Sequence, residues 1–150
     1  MYKRILVPFD GSDTSRKALD SAIQLARESG GRLRIIHSLD ELRYVSPYDY
    51  TVEVLETARS GANAALAEAL RLASAADVAA ETAMLEGVDL RLGEIVADDA
   101  RAWHADLVVV GTHGRRGVGR VLLGSGAEQI IRLAPVPVLA VRSASAPPAR

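Results

Sequence analysis

Cysteine is absent from the 150 residues, which excludes disulfides, thiol catalysis and cysteine-ligated metals. Charge of one sign is also lacking: the net value is −1, so no bulk electrostatic pull toward nucleic acid or a membrane is expected. No apolar run approaches the ~18 residues of a membrane-spanning helix. The opening MYKRILVPFDGS carries too short an apolar run for a signal peptide, so the cytoplasm is the expected compartment. Lysine occurs only as Lys3 and Lys17, and neither follows a glycine. A Walker A phosphate loop, which needs Gly-Lys-Ser/Thr, is therefore excluded. With 49% hydrophobic and 25% charged residues, the chain has the balance of a soluble globular protein, and its length suits one domain with a full core.

Glycine, by contrast, is concentrated. Six of the 12 glycines lie between Gly111 and Gly126, in GTHGRRGVGRVLLGSG. The apolar run Leu107, Val108, Val109, Val110 precedes this stretch and reads as a strand buried on both faces. Ala127, Ile130 and Ile131 follow it at helical spacing. Glycine loses the most backbone entropy on folding, so such a concentration points to positive φ angles or to a ligand close to the backbone. Gly124 and Ser125 fall at the helix start, where unpaired N–H groups and the helix dipole attract an anion. The expectation is a phosphate site. It is not the dinucleotide fingerprint G-x-G-x-x-G, because the run from Gly117 and Gly119 ends on Leu122 and follows the fourth strand, not the first.

The rest of the chain alternates strand and helix. Strands are expected at residues 4–9, 33–39, 78–85, 107–110 and 136–141. The first helix follows Asp10-Gly11-Ser12-Asp13, with Ser12 or Asp13 as its N-cap, and stops at Gly30-Gly31. A long alanine-rich helix covers residues 52–75, a third runs from Leu92 to Trp103, and a fourth ends near Leu133, before Pro135. Between the second strand and the long helix, Tyr44, Tyr48 and Tyr50 read as a local packing cluster and not as a lid stacking on a base. Residues 143–150, SASAPPAR, read as a disordered tail, leaving a single domain over residues 1–142. Alternation of this kind means an open, Rossmann-like, five-stranded parallel sheet with helices on both faces. Ligands of such sheets bind at the carboxyl ends of the strands, where strand order reverses. Asp10, the turn after Leu39 and the loop after Gly111 all belong to that end.

Gly111, Gly114, Gly124 and Ser125 form the pattern G-x2-G-x9-G-S, between the opening ILVPFDGS and the closing PVPVLAVR. With these residues the chain resembles the universal stress protein family, and in particular its ATP-binding members. The resemblance implies the strand order 3-2-1-4-5. It also implies that Pro8 and Asp10 border the nucleotide, with Asp10 facing ribose or a divalent metal, Mg²⁺ accompanying ATP. By the same resemblance the main chain of Ser38 meets the adenine edge, at a place commonly held by Val. Thr112, His113 and Gly114 line the ribose and α-phosphate, and Gly124, Ser125 and the N–H of Gly126 hold the outer phosphates. Arg115, Arg116 and Arg120 lie close enough in sequence to add Coulomb attraction to a triphosphate. The family further implies a homodimer formed by antiparallel pairing of the strand at residues 136–141.

Catalysis has less support. No carboxylate or glutamine is identifiable that would orient water at a γ-phosphate, so no residue is assigned a catalytic role. His37, His104 and His113 show no metal-ligand spacing. The reading is an ATP-binding, stress-response regulatory dimer with slow or no hydrolysis. Two alternatives remain: a weak Mg-dependent ATPase or phosphotransferase using the same site, and a dimeric interaction module that binds no nucleotide.

Overall fold

A computed structural model describes residues 1–39, 45–86, 90–112 and 123–142. Five strands alternate with four helices among them: β1 (Arg4–Pro8), α1 (Asp13–Ser29), β2 (Arg32–Ser38), α2 (Val52–Ala75), β3 (Ala80–Leu85), α3 (Leu92–Trp103), β4 (Leu107–Gly111), α4 (Ser125–Leu133) and β5 (Val138–Val141). All neighbouring strands are parallel, in the order β3-β2-β1-β4-β5. The chain builds outward from β1 to β3, then returns to β1's other side for β4. Strand order therefore reverses between β1 and β4.

The apolar strand runs are continuous because both sheet faces are covered. On β1, Ile5, Leu6 and Val7 are all fully buried. Ile5, Val7 and Phe9 face one layer, with Leu19 and Ala22 of α1 and Leu66, Ala69 and Ala73 of α2. Leu6 faces the other, with Ile36, Val108, Val96 and Ala100 of α3, and Ile130 of α4. This alternation along one strand is what the period-two geometry of a pleated strand requires.

Local chemistry sets the element ends. Ser12 is the N-cap of α1: its Oγ accepts from the Ser15 N–H at 3.2 Å. Asp13 is the first helical residue, where its charge suits the positive end of the dipole. Gly30 closes the helix in the left-handed region at φ 68°, the conformation glycine adopts at low cost. Thr51 caps α2 through an Oγ1 contact with Val54 N–H. The strands expected at residues 78–85 and 136–141 are shorter than read, starting at Ala80 and Val138. Asp77 in the turn before β3 has φ 57°, which the alternation of apolar residues could not reveal.

Of the tyrosine cluster, the two described members do not pack together in the core. Tyr48 is 96% exposed and Tyr50 is also exposed, while Tyr44 lies outside the described residues. The turn at Pro47 leaves the Tyr48 and Tyr50 rings facing outward. The tail at residues 143–150 lies outside the described residues as well.

A polar network ties the carboxy-terminal half of α3 to the sheet. Arg34 on β2 reaches Asp99 of α3 with two contacts, at 2.7 and 2.9 Å, and Glu81 of β3 at 2.9 Å. The Asp99 hydrogen bond raises the Arg34 pKa above its already high ordinary value, so the guanidinium stays charged. Trp103 Nε1–H donates to Glu81 at 2.8 Å, and Arg4 stacks 4.2 Å over the Trp103 ring. None of these partners was legible in the periodicity, because they join residues 22 to 99 positions apart.

Candidate functional site

The carboxyl ends of β1, β2 and β4 converge at the reversal point, and β1 is released from its neighbours there. Along β1, odd positions pair toward β2, as the Phe9 N–H donating to the Ile36 carbonyl at 2.8 Å shows. Even positions therefore face β4, and the β1–β4 register stops at Leu6 with Val108. The next rung would need an N–H at Pro8, which proline lacks. Pro8 thus parts β1 from β4, a physical reason for a proline at the edge of a crevice.

The β1–β2 ladder ends at Pro8 with Ile36, whereas β2 goes on to pair Ser38 with Leu85 of β3. Leu39 N–H donates to the Leu85 carbonyl at 3.0 Å, so the polar groups of 37 and 39 point to β3. Those of Ser38 point the opposite way, past the end of β1. The Ser38 Oγ is buried and has no hydrogen-bond partner among the described residues.

Asp10 leaves β1 at this mouth. Its Oδ1 accepts from the Ser12 N–H at 2.9 Å, closing a turn into α1, so the carboxylate also has a structural duty. Gly11 in that turn has φ 82°, a conformation L side chains rarely adopt.

On the β4 side, Gly111 passes directly beneath the first turn of α1. A Cβ there would lie 2.7 Å from Thr14 Cγ2 and 2.9 Å from the Thr14 carbonyl carbon and oxygen. The first glycine of the pattern is thus required by backbone packing, whatever is bound. Thr112 is buried; its N–H donates to Val141 at 3.0 Å and its carbonyl accepts from Gly124 N–H at 2.6 Å. The two ends of the glycine-rich stretch are therefore joined directly. Residues 113–122 between them lie outside the described residues, and with them His113, Gly114, Arg115, Arg116 and Arg120.

Gly124 is the N-cap of α4, and no side chain among the described residues caps that helix. Its own N–H is used by Thr112, and its carbonyl accepts from Glu128 at 2.9 Å. The amides of the first turn, Ser125, Gly126 and Ala127, are the ones helix geometry leaves without intrahelical acceptors. They add to the positive end of the α4 dipole. Gly126 also packs closely on α3, since a Cβ there would meet Leu92 Cδ2 at 2.8 Å. The reciprocal contact is tighter: a Cβ on Gly93 would lie 2.5 Å from Gln129 Cβ. That crossing fixes where the α4 terminus sits. Gly93 had no visible signal beyond being a glycine early in a helix.

At the end of β3, Arg59 of α2 holds Glu86 in two contacts, at 2.7 and 3.1 Å. This pairing keeps the Glu86 carboxyl below its usual pKa of 4.5. His37 was read only as an unsuited metal ligand. The structure buries it, 5% exposed, with Nδ1 2.9 Å from the Phe9 carbonyl oxygen. A histidine directly after the apolar pair Ile35-Ile36 of a strand is the available signal.

These elements define a doubly wound α/β protein with a helix terminus that begins on glycine beside the switch point of its sheet. Comparison with known proteins makes the class specific. The family model described as "Universal stress protein family" matches residues 1–142, and the chain belongs to that family. Universal stress protein MJ0531 of Methanocaldococcus jannaschii is 38% identical over 144 residues, covering 95% of this chain and 83% of that relative. The solved structure of universal stress protein UspA from Lactobacillus plantarum superposes with a TM-score of 0.81 at 26% identity, covering 94% of this chain and 98% of that one. A universal stress protein in complex with cAMP superposes with a TM-score of 0.70 at 30% identity, covering 93% and 97%.

Proposed function

We propose that this chain is a cytoplasmic stress-response regulator that binds an adenine nucleotide, ATP with Mg²⁺ foremost, and hydrolyses it slowly or not at all. The observation that carries the reading is the α4 terminus, whose N-cap Gly124 has no side chain, drawn against Thr112 just past β4 beside the opened end of β1. Ser125 and Gly126 amides there supply phosphate donors, and Ser125 adds a hydroxyl. The Ser38 main chain, facing the same mouth, supplies the base edge. A relative at 30% identity in complex with cAMP supports the adenine class.

The donor set suits Mg²⁺ carried by the nucleotide rather than a metal site of the protein's own. Among the described residues no group of three or more His, Cys, Asp or Glu is placed to hold a metal. Mg²⁺ keeps several waters and needs few carboxylates when phosphates share its coordination. Asp10 would provide one, and the ion would neutralise phosphate charge. Nucleotide binding would order the glycine-rich stretch and bias partner contacts, a ligand-driven population shift.

Assembly belongs to the same reading. Among the described residues β5 pairs only with β4, and its Leu139 and Ala140 are exposed, as are Ile131 and Leu133 of α4. A second copy pairing antiparallel with β5 would cover an apolar edge that is otherwise a liability. Calorimetric titration of the full chain with Mg-ATP and with AMP tests the binding reading. Saturable one-to-one binding is expected, and no heat or retained nucleotide for either would remove it. Sustained phosphate release well above background would favour the ATPase alternative.

A further inference from the structure

We infer that His37 is a positioning residue of the nucleotide site, holding the end of β1 away from Ser38 so that the Ser38 peptide stays open to the base. The inference rests on the adenine reading above. A regular parallel ladder would continue past Ile36 by having Ser38 N–H donate to the Phe9 carbonyl. The register contains no pairing of Phe9 with His37, which that rung would create. The Phe9 carbonyl instead lies 2.9 Å from His37 Nδ1. A carbonyl only accepts, so Nδ1 carries the proton and donates.

One side chain therefore does two things. It holds the Phe9 carbonyl on the imidazole, out of line with the Ser38 N–H, so that the rung stays open and both polar groups of the Ser38 peptide are directed past β1. It also fixes the plane of the Phe9–Asp10 peptide, and so the path by which Asp10 leaves the strand. On the β2 side of β1, His37 acts as Pro8 does on the β4 side. Pro8 ends a ladder by lacking a donor, and His37 ends one by holding the facing acceptor out of line.

The test compares His37→Leu, His37→Asn and His37→Gln. Asn carries its amide nitrogen at the same bond distance from Cα as Nδ1, so it restores the donor. Gln places it one bond further, and Leu removes it. AMP is the probe, because its base contributes a large share of its contacts. Binding by the Asn variant is expected within about threefold of the native chain. The Leu and Gln variants should weaken it by about tenfold or more, the size of losing one or two main-chain hydrogen bonds. A fold-independent readout is hydrogen exchange at the Ser38 amide without nucleotide. It should slow in the Leu variant, where the rung can close, and stay fast in the native and Asn chains.

Equal AMP affinity in all four proteins, or an Asn variant no better than Leu, would overturn the inference. Failure of the native chain to bind AMP would instead refute the adenine reading. The Ser38 exchange rates would still decide whether His37 holds the ladder open, with unchanged rates in the Leu variant counting against it. If the Leu variant does not fold, the Asn and Gln pair carries the same comparison.

Discussion

At the scale of single residues, the glycine-rich stretch divides into parts with different causes. Gly111 is explained by its approach to Thr14, with a Cβ placed 2.7 to 2.9 Å from three Thr14 atoms, two of them backbone. Gly111→Ala should therefore destabilise the protein by about 2 kcal/mol through overpacking, read as a lowered denaturant midpoint with unchanged slope. An unchanged midpoint would mean that the site relaxes and that the glycine serves something else. Gly124 is different: at φ −63° and ψ 153° its backbone is extended and open to other residues, so its lack of a side chain is not a conformational need. The sequence made the pattern visible but could not separate these two reasons. Spacing along the chain carries no information about what lies across from it. The same limit hid His37, whose partner is a main-chain oxygen 28 residues away.

At the scale of elements, periodicity was informative because both periods were clean. The apolar runs of β1 and β4 and the alanine-rich length of α2 place those elements within a residue or two of where they form. The shortfalls occur where backbone pairing overrides composition. β3 begins at Ala80 because the turn through Asp77 leaves the Val78 N–H donating back to the Ala73 carbonyl of α2 at 3.0 Å, although Val78 is apolar and buried. β5 begins after Pro137, whose carbonyl accepts from Val108 N–H at 3.0 Å. That proline faces β4 at the start of the strand and leaves the outer edge unblocked. Cross-element ion pairs were illegible for a simpler reason: complementary charges far apart in sequence give no periodic signal. The Arg34–Asp99 pair locks α3 to β2, with side chains only 17% and 10% exposed. Asp99→Ala strands a half-buried guanidinium, and a loss of about 3 kcal/mol is expected by chemical denaturation. A loss below 0.5 kcal/mol would show that Glu81 alone compensates.

At the scale of the whole molecule, two surfaces bear on function: the mouth at the strand ends and the free edge of β5. Fold and strand order were legible from alternation and from the family resemblance. The exact mouth was not, since it depends on two ladders ending early. The dimer reading makes its own prediction. Carbonyls of 137 and 141 accept from β4, so 138 and 140 direct their polar groups outward. Ala140→Pro removes an outward N–H without breaking the β4 ladder. Light scattering at micromolar concentration should show a dimer for the native chain and a monomer for this variant. A native monomer would end the assembly proposal and leave the nucleotide proposal untouched.

The central claim is that the first turn of α4 grips phosphate. Gly124→Asp tests it with stability and affinity pulling in opposite directions. Aspartate is among the best N-cap residues, so the variant should be at least as stable as the native chain, by up to about 1 kcal/mol. Its carboxylate would satisfy the amides of Gly126 and Ala127 and repel the phosphates. Calorimetry should then show Mg-ATP affinity falling at least about a hundredfold in a protein that unfolds no earlier. Undiminished affinity in a stable, folded variant would contradict the claim.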